Sequence, residues 1–533
     1  MKSLKTFFLA VTCLVAMTMT AQQPQSKGQM NSQKLATTLY LIENFYVDTA
    51  NIDKVTEDAI IAALKELDPH SAYISKKDVE KANEPLVGSF EGIGVTYQLI
   101  RDTITIISPT AGGPSEKVGI MTGDQIIKID GEDAFGKKID NEYVQKRLRG
   151  KKGTKVTVGV KRGNDPELID FEIIRDKIPL NSINAAYMLD NHIGYIKLDR
   201  FAQESTQEFK EAFAKLQSQG MESLIFDLRG NTGGYLNTAI ELVDQFIDEG
   251  KLIVFTEGIH SPRQEWRSTA AGFYTTGKLV VLIDEGSASA SEILSGAIQD
   301  HDRGVVIGRR SFGKGLVQRP FNLPDGAQIR LTTSRYHTPS GRCIQRPYEK
   351  GAEDYAKEME KRLKHGEYYH ADSIHFPDSL KFKTDGGRTV YGGGGIMPDL
   401  FIPVDTAYNS KLYTNLVRKG ALNRFTTDYA LKHRDEIKAQ YGDFDNYNKN
   451  FVVGQDLVNG LKKAAEDANV EWNEEQFNRS EKFLLLQIKA LIARNVWETQ
   501  QYYQVMASSD PGVQKAIEIL NDNKAFNKIL SNK

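Results

Sequence analysis

The sequence predicts a multidomain α/β protein with an α/β core, a smaller β domain, an N-terminal helical segment and a C-terminal helical extension. Its 533 residues are enough for about three to five domains. The composition, with 40% hydrophobic residues, 26% charged residues and 16 prolines, excludes a disordered or fibrous chain. Between residues 193 and 307, apolar runs typical of strands alternate with helical patterns, as in an α/β core.

The charge balance and the cysteine count exclude several classes of function. The 68 Lys and Arg against 70 Asp and Glu leave a formal charge of -2, so no overall basic field favours nucleic acid as a partner. Cys13 and Cys343 are too few for a disulfide framework or a zinc cage. Because no His-Glu-x-x-His motif or ligand cluster occurs, we predict neither a metal nor another cofactor.

The N-terminus has the layout of a secretory signal peptide, predicted at residues 1–21. Lys2 and Lys5 precede an apolar run over residues 7–17, and small and polar residues follow. The run is shorter than the ~20 residues of a spanning helix. We therefore expect an exported protein of the periplasm or cell envelope. An uncleaved membrane anchor is the alternative, since Met19 is an imperfect residue three positions before the expected cut.

Two small segments follow. Residues 28–86 carry apolar residues at helical spacing and predict a helical segment, broken by the turn Leu67-Asp-Pro-His-Ser71. Residues 87–178 change to short β-rich runs with glycine-rich turns, at 94–100, 103–108, 124–129 and 155–161, and one short helix near 140–148. They predict a compact β domain.

The rest of the chain divides into a core and a helical extension. Residues 179–404 predict the α/β core, with strands near 193–198, 223–228, 279–283 and 304–307 and helices at 206–219 and 236–247. Residues 347–390 form an insertion without a usable motif. Residues 405–533 predict amphipathic helices, which could serve a dimer, a partner protein or a cap on the core.

A serine-rich turn is the first candidate for chemistry. The strand at 279–283 is followed by Ser287-Ala-Ser-Ala-Ser-Glu292 and then by an apolar helical pattern. Such a strand-to-helix turn places Ser289 at the carboxyl edge of a sheet, beside the free N-H groups of a helix. The alternative is that Ser289-x-x-Glu292 is only a capping box.

A glycine-flanked lysine is the second candidate. Gly308-x4-Gly313-Lys314 has the spacing of a phosphate loop, but Gly315 stands where magnesium binding needs Ser or Thr, and residues 316–320 look extended rather than helical. A lysine between Gly313 and Gly315 could instead lie against packed backbone with little water. Desolvation lowers a lysine pKa, as a general base near neutral pH requires.

A glycine-rich loop after a strand is the third candidate. In Ser223-Leu-Ile-Phe-Asp-Leu-Arg-Gly-Asn-Thr-Gly-Gly234 the glycines permit positive φ and expose backbone N-H groups. By itself the segment could be an ordinary β-α turn. Beside a nucleophile, the same N-H groups would form half of an oxyanion hole.

Together these segments resemble the carboxy-terminal processing peptidases, or tail-specific proteases, from about Leu35 to Pro403. Further shared stretches are Phe90-Glu-Gly-Ile-Gly-Val95, Phe312-Gly-Lys-Gly315, Leu331-Thr-Thr-Ser-Arg-Tyr336, Thr338-Pro-Ser-Gly-Arg342 and Gly395-Ile-Met-Pro-Asp399. The resemblance implies a crotonase-like α/β protease core. It implies Ser289 as nucleophile, Lys314 as general base and Gln318 as its support. It also implies oxyanion donors on the N-H groups of Ala290 and of Gly233 or Gly234.

The β domain resembles a PDZ domain inserted before the core. Its carboxylate-binding loop would be Gly92, Ile93, Gly94 and Val95, and Arg149 is a candidate for sensing the substrate tail by resemblance only. Such domains bind an extended C-terminal peptide by strand addition. The alternatives are that Gly92 and Gly94 only permit a tight turn and that Arg149 is a solvated charge.

The sequence thus predicts an exported serine endopeptidase that recognises protein substrates with accessible apolar C-terminal tails. The leading alternative is a catalytically silent PDZ scaffold, which the presence of both Ser289 and Lys314 disfavours. A triad using His301 or His337 lacks a Gly-x-Ser-x-Gly elbow, and a nucleotide-binding protein is a third possibility. The C-terminal helices could form a homo-oligomer. Association with a membrane is expected only if the signal segment stays uncleaved.

Overall fold

A computed structural model describes residues 26–136, 139–163 and 165–531. The predicted signal peptide therefore lies outside the described residues. The chain divides into two units, one comprising the residues up to Ser75 together with Pro320–Leu331, and the other comprising Lys76–Arg319 and the residues from Thr332 onwards. No helix in the described ranges combines the length and the apolar composition that crossing a bilayer needs.

In its described residues, the first unit contains α1 (Lys27–Phe45), α2 (Ile52–Lys65) and β1 (Ala72–Ile74), together with parts of two later strands. Between α2 and β1, the carboxylate of Asp68 accepts the backbone N-H groups of His70 and Ser71 at 2.8 Å each. The Asp-Pro-His-Ser stretch is therefore the rigid turn that the sequence predicts. β1 then pairs antiparallel with residues 328–330.

The second unit begins with α3 (Val79–Val87) and a β domain. The elements of this domain are β2 (Ser89–Gly92), β3 (Val95–Ile100), β4 (Thr103–Pro109), α4 (Pro114–Lys117), β5 (Gln125–Ile129), β6 (Glu132–Asp133), α5 (Asn141–Leu148), β7 (Lys155–Lys161), β8 (Ile169–Ile174) and β9 (Asp176–Pro179). Antiparallel pairing gives the order β3-β4-β5-β7-β8, with β6 beside β5. β2 pairs with β9 where the chain enters and leaves the domain.

The core contains a six-stranded sheet. Its elements are β10 (Ile183–Met188), β11 (Ile193–Leu198), α6 (Ser205–Ser218), β12 (Ser223–Asp227), α7 (Leu236–Asp244), β13 (Leu252–Gly258), β14 (Ser261–Arg267), β15 (Lys278–Ile283), α8 (Ala290–Asp300), β16 (Val305–Gly308), β17 (Leu316–Asn322) and β18 (Gln328–His337). The sheet order is β10-β11-β12-β15-β16, closed by β21 (Leu400–Phe401). Only β10 runs antiparallel to its neighbour. β13 pairs with β14 and with the end of β18.

The insertion is a mixture of short elements, whereas the C-terminal region is mostly helical. Residues 347–390 contain α9 (Ala352–Ala356), α10 (Glu358–Lys364) and a hairpin of β19 (Lys381–Lys383) and β20 (Thr389–Tyr391). The C-terminal helices are α11 (Lys411–Arg418), α12 (Ala421–Tyr441), α13 (Phe444–Asn450), α14 (Gln455–Asp467), α15 (Glu474–Val496), α16 (Thr499–Met506), α17 (Pro511–Asn521) and α18 (Asn523–Leu530). From α11 to α16 they share an apolar core of their own.

Both faces of the core sheet are covered. One face packs against α6, α7 and α8 through side chains such as Phe209, Leu242 and Leu294. The other face, which includes Ile225 and Leu282, packs against the last two helices of the chain. Of the roles that the sequence left open for the C-terminal region, a cap on the core is the one seen for α17 and α18.

Three loops leave the same edge of this sheet. β12, β15 and β16 are parallel, so their carboxyl ends lie side by side. The loops at residues 228–235, 284–289 and 309–315 start there. They carry the glycine loop, the serine turn and the lysine of the sequence analysis, which is the usual position of a site in an open α/β sheet.

Candidate active site

Ser289 lies at the strand-to-helix turn that the sequence predicts. It is the N-cap of α8, and its φ is +55°, a value that costs a residue with a side chain some backbone strain. The carboxylate of Glu292 accepts the Ser289 backbone N-H at 2.8 Å. The capping interaction is therefore present, but Glu292 has further partners that a cap does not need.

Lys314 lies in a loop that only glycine neighbours allow. Gly313 has a φ of +90°, and a Cβ at Gly315 would lie 2.8 Å from the backbone nitrogen of Gln345. The backbone on both sides of the lysine is thus packed closely against the protein, as predicted. The segment after it is the extended strand β17 rather than a helix, so the phosphate-loop interpretation is wrong.

A buried carboxylate joins the serine and lysine segments. Glu292 is fully buried, and its Oε2 accepts the backbone N-H of Ser289 at 2.8 Å and that of Lys314 at 2.9 Å. Since both nitrogens lie within 3 Å of one oxygen, they are no more than about 6 Å apart. Oε1 accepts the Ser311 hydroxyl at 2.5 Å and the Gly313 N-H at 2.7 Å.

The protonation of Glu292 reflects two opposed effects. Burial raises the pKa of its carboxyl, while hydrogen bonds from Ser311 and the backbone of residues 289, 313 and 314 lower it, and the net shift is upward. A carboxylate that accepts four hydrogen bonds acts only as an acceptor. Glu292 therefore holds two separate loops by charge-assisted hydrogen bonds.

A buried tyrosine makes a second link between the same two residues. The Tyr336 hydroxyl lies 2.6 Å from the carbonyl oxygen of Lys314 and 3.1 Å from that of Ser289. Burial raises the pKa of Tyr336 well above its ordinary value, so the hydroxyl keeps its proton. Glu292 and Tyr336 both occur in the sequence motifs, but the motifs do not indicate that either residue joins the two loops.

The glycine loop lies directly against Ser289. A Cβ at Gly233 would be 2.8 Å from the carbonyl oxygen of Ala288 and 2.9 Å from the backbone nitrogen of Ala290, and the φ of Gly233 is +99°. The predicted oxyanion residues are thus neighbours. The N-H of Gly233, however, donates to Asn231 Oδ1 at 2.9 Å. Gly234 packs on Phe201, where a Cβ would lie 2.1 Å from the carbonyl oxygen.

Gln318 is held only weakly. It is half-buried on β17, and its Nε2 lies 3.4 Å from the carbonyl oxygen of Leu316 and 3.3 Å from Oγ1 of Thr332. Both distances are longer than a typical N-H to oxygen hydrogen bond. The side chain is therefore available to change partners.

The two histidines of the alternative triad have structural partners. His301 lies 3.0 Å from Asp385 and 2.7 Å from the carbonyl oxygen of Leu252 through its two ring nitrogens. The His337 ring stacks on Phe255 at 4.6 Å. Neither arrangement prepares a base for Ser289, so the structure does not support a histidine triad.

The candidate peptide loop of the β domain is tightly packed. Ile93 is buried and its carbonyl oxygen accepts the N-H of Ser115 at 3.1 Å and its hydroxyl at 2.7 Å. Gly94 has a φ of +72°, and a Cβ there would lie 2.8 Å from Ile178. The tight turn that the sequence offered as an alternative is therefore present at Gly94, between Gly92 at the end of β2 and Val95 at the start of β3.

Arg149 is not the solvated charge that the sequence offered as an alternative. Its Nη1 donates to both carboxylate oxygens of Glu84 in α3, at 2.7 and 2.6 Å. Its guanidinium also lies over the Phe90 ring, 4.5 Å from the centroid. Arg149 thus connects the β domain to the helix that precedes it.

Family models match three parts of the chain. A model described as peptidase family S41 matches residues 192–353, a PDZ domain model matches residues 92–173, and a family of unknown function matches residues 412–498. The predicted fold class is thereby confirmed as an S41 protease core with a PDZ domain and a C-terminal helical region.

Curated relatives also match the chain. A probable CtpA-like serine protease of Staphylococcus aureus (strain MRSA252) is 35% identical over 318 residues, which are 59% of this chain and 63% of the relative. The match thus spans less than two thirds of that relative. The carboxy-terminal processing protease CtpB of Bacillus subtilis (strain 168) is 32% identical over 362 residues, 67% of this chain and 73% of the relative.

Among solved structures, a photosystem II D1 C-terminal processing protease is 26% identical and matches with a TM-score of 0.34, covering 58% of this chain and 89% of that one.

Proposed function

Because the chain belongs to the carboxy-terminal processing peptidase family, we propose that it is an exported serine endopeptidase with Ser289 as nucleophile and Lys314 as general base. One observation carries this proposal. Ser289 and Lys314 lie on different loops, yet both bind the Glu292 carboxylate and the Tyr336 hydroxyl. These contacts fix the backbone of both residues, and this supports the proposal because covalent catalysis requires a nucleophile and a base that are held in place.

The proposed reaction is acyl transfer to serine. Lys314, in its neutral form, takes the proton of the Ser289 hydroxyl as the oxygen attacks the scissile carbonyl, and then gives that proton to the leaving amine. Water hydrolyses the acyl-enzyme. Gln318 orients the lysine amine. The two hydrogen bonds of the Gln318 side chain are long, so the side chain can exchange them for this role.

Oxyanion stabilisation is assigned to backbone N-H groups of Ala290 and of the Gly233-Gly234 pair. Donors of this kind contribute about 3–4 kcal/mol each in comparable sites. Because the Gly233 N-H already donates to Asn231, it has to leave that partner, or else Gly234 supplies the second donor. The proposal requires no metal or cofactor.

The PDZ domain is proposed to recognise substrate tails. Residues 92–95 form the loop that would receive the terminal carboxylate, and the peptide would add as a strand. Glu84 presently supplies Arg149 with a carboxylate partner. A substrate carboxylate would compete with Glu84 for this arginine, which links tail binding to the helix before the domain.

Export and oligomerisation are proposals that do not depend on the catalytic mechanism. The silent scaffold is the alternative to the peptidase. Export depends on the segment at residues 1–21, outside the described residues. A homo-oligomer through the C-terminal helices would have to use surfaces other than the faces of α17 and α18 that cover the core sheet. A silent PDZ scaffold is disfavoured because Ser289 and Lys314 are both present and held together.

The peptidase proposal is tested with Ser289→Ala, Lys314→Ala and the double variant, using an unfolded protein with an apolar C-terminus. Each single variant should lower kcat by several orders of magnitude, and the double variant should be little worse, because the two residues act as a unit. Losses that multiply in the double variant would contradict the paired mechanism. Full activity in Ser289→Ala would exclude Ser289 as the nucleophile, and absence of cleavage by the unmodified protein would favour the scaffold alternative.

Tail recognition is tested with paired substrates that differ only at the terminal carboxylate. Amidation removes the charge that the PDZ loop would bind, so it should slow cleavage more than changes of side chains near the cut. Binding of the amidated and free peptides to Ser289→Ala, measured by calorimetry, separates recognition from catalysis. Equal affinity and equal rates for both peptides would remove the tail-recognition proposal.

A further inference from the structure

Asp510, in the turn before α17, contacts the loop that carries the proposed oxyanion glycines. Its Oδ1 accepts a hydrogen bond from Nη1 of Arg229 at 2.9 Å, and its Oδ2 lies 2.9 Å from Nη2 of the same guanidinium. Resting on the proposed function, we infer that Asp510 is a positioning residue for the catalytic glycine loop, so that the C-terminal extension takes part in building the active site.

Asp510 completes a network of paired charges. Arg229 binds the buried carboxylate of Asp227 through Nε at 3.1 Å and through Nη2 at 2.6 Å. Lys197 lies 3.5 Å from Asp227 and donates to the carbonyl oxygen of Arg229. Two cations thus face two carboxylates. Without Asp510 the group would keep one positive charge in excess, and the Nη1 side of Arg229 would lose this carboxylate.

The ionisation of Asp227 depends on the same network. Burial by itself raises the pKa of this carboxyl, but Arg229 and Lys197, with hydrogen bonds from Arg229 and Tyr195, outweigh burial and hold the pKa well below its ordinary value. Asp227 is therefore a fixed anion. It anchors Arg229, whose backbone N-H it also accepts at 2.9 Å.

From Arg229 the loop continues directly to the catalytic turn. Two residues further on, the carbonyl oxygen of Asn231 accepts the N-H of Ala288 at 3.0 Å and the Ser291 hydroxyl at 2.8 Å. The side chain of Asn231 in turn accepts the N-H of Gly233 at 2.9 Å. A displacement of Arg229 is thus transmitted over two peptide units to a residue that binds both sides of Ser289.

Asp510 is itself firmly held. Its carboxylate caps α17 by accepting the N-H groups of Gly512 and Val513, at 2.9 and 3.1 Å. The apolar face of this helix, including Val513 and Ile519, covers the core sheet. Because the carboxylate is fixed to a packed helix, it supplies a rigid point of attachment for Arg229 rather than a mobile surface charge.

A matched control exists one helix later. Asp522 caps α18 in the same way, accepting the N-H groups of Lys524 and Ala525 at 2.9 and 3.0 Å, but it is exposed and lies outside the Arg229 network. Asn can also accept at an N-cap, so Asp510→Asn and Asp522→Asn both keep a capping oxygen. Only the first removes a charge from Arg229.

The first measurement is hydrogen exchange of peptides covering residues 228–234, which does not depend on activity. We expect exchange to become about tenfold faster in Asp510→Asn, because a loop that loses a fixed contact opens more often. Asp522→Asn and the unmodified protein should agree. Equal exchange in Asp510→Asn and Asp522→Asn would overturn the inference, whether or not the protein proves to be a peptidase.

The second measurement separates kcat from KM on a cleaved peptide. Asp510→Asn should lower kcat about tenfold with KM changed less than about twofold, because a misplaced oxyanion donor acts in the transition state. Introducing Asp510→Asn into Arg229→Lys should add little, since coupled residues are not additive. Unchanged kcat in a folded Asp510→Asn protein, or additive losses, would refute the positioning role. Inactivity of the unmodified protein would count only against the proposed function, and the exchange result would then decide.

Discussion

Replacing Glu292 with glutamine should weaken the link between the loops of the proposed nucleophile and the proposed base. The carboxylate accepts four hydrogen bonds, and both loops depend on it. An amide has only one acceptor oxygen. In the less costly orientation the amide oxygen still accepts from Ser289 and Lys314, and the NH2 faces Ser311 and Gly313. The Ser311 hydroxyl can rotate to accept a hydrogen bond from this NH2, but the Gly313 N-H is a donor and loses its acceptor. In the other orientation the N-H groups of Ser289 and Lys314 lose their acceptor.

The magnitude follows from these contacts. One buried N-H left unsatisfied costs about 1–3 kcal/mol, and converting two charge-assisted hydrogen bonds into neutral ones costs about 1 kcal/mol each. Glutamine also removes a buried negative charge, which is unfavourable because burial raises the pKa of Glu292. This gain offsets part of the cost. A net loss of about 3 kcal/mol is a large share of the ~5–15 kcal/mol of a typical domain. If most of it falls on the geometry of the site, kcat decreases about 10²-fold.

The assay is thermal unfolding together with kcat, measured well below the midpoint. Glu208→Gln is the control, because Glu208 accepts two backbone N-H groups and the Ser182 hydroxyl at 2.7, 3.0 and 2.9 Å, away from Ser289. We expect both variants to lower Tm and only Glu292→Gln to lower kcat in the folded protein. A folded Glu292→Gln protein with kcat within about threefold of the unmodified enzyme would refute the reasoning, since that change is under 1 kcal/mol.

Three further predictions concern the same edge of the sheet. Tyr336→Phe should lower kcat about tenfold, because the carbonyl oxygens of Ser289 and Lys314 both lose the hydroxyl that they share. Tyr274→Phe, which removes a buried hydroxyl bridging the carbonyl oxygens of Glu222 and Lys278, should lower only Tm. Gly233→Ala should abolish turnover, because its Cβ would lie 2.8 Å from the carbonyl oxygen of Ala288. The control is Gly230→Ala, where φ is +71° but the space around a Cβ is open. This change should cost only about 1–2 kcal/mol of stability. Burial raises the pKa of Asp227, but Arg229 and Lys197 outweigh burial, so the net pKa is lowered. The stabilisation by this carboxylate is therefore complete above pH ~4 and is lost as the pH falls below that value. Asp227→Asn should flatten the fall of Tm between pH ~4 and ~2.

The elements that position the site could largely be predicted from the sequence. The expected strand at 279–283 is β15 (Lys278–Ile283), and the expected extended segment after Lys314 is β17 (Leu316–Asn322). Apolar periodicity and glycine placement are local signals, so they report strand ends and turns directly. Parallel strands then put the serine, lysine and glycine segments at one edge.

The contacts that join these segments could not be predicted. The Ser289-x-x-Glu292 pattern suggested a cap, and a cap accounts for one of the four hydrogen bonds that Glu292 accepts. The other three come from residues 311–314, and nothing local in the sequence pairs them with residue 292. In the same way, Asp510 is separated from Arg229 by 281 positions along the chain, and only the packing of α17 on the sheet brings the two together.

The insertion at residues 347–390 also supplies a distant side chain that holds the backbone of the lysine loop. Nη1 of Arg362 donates to the carbonyl oxygen of Ser311 at 2.8 Å, and its Nη2 lies 3.2 Å from that of Phe312. Just before the insertion, the Arg346 guanidinium lies over the rings of Phe312 and Tyr355, at 4.1 and 3.7 Å from their centroids. Burying Arg362 is costly, and burial lowers its pKa to about 10.

A buried cation is costly to leave without its partners, so its hydrogen bonds fix the groups that they reach. Here those bonds end on the carbonyl groups just before Lys314, as those of Asp510 and Arg229 end on the loop before Gly233. The residues proposed to touch the reacting atoms are the ones that a motif can identify. The segments that hold their backbones in place have no motif, because many different side chains can supply a fixed donor or carboxylate at the same point.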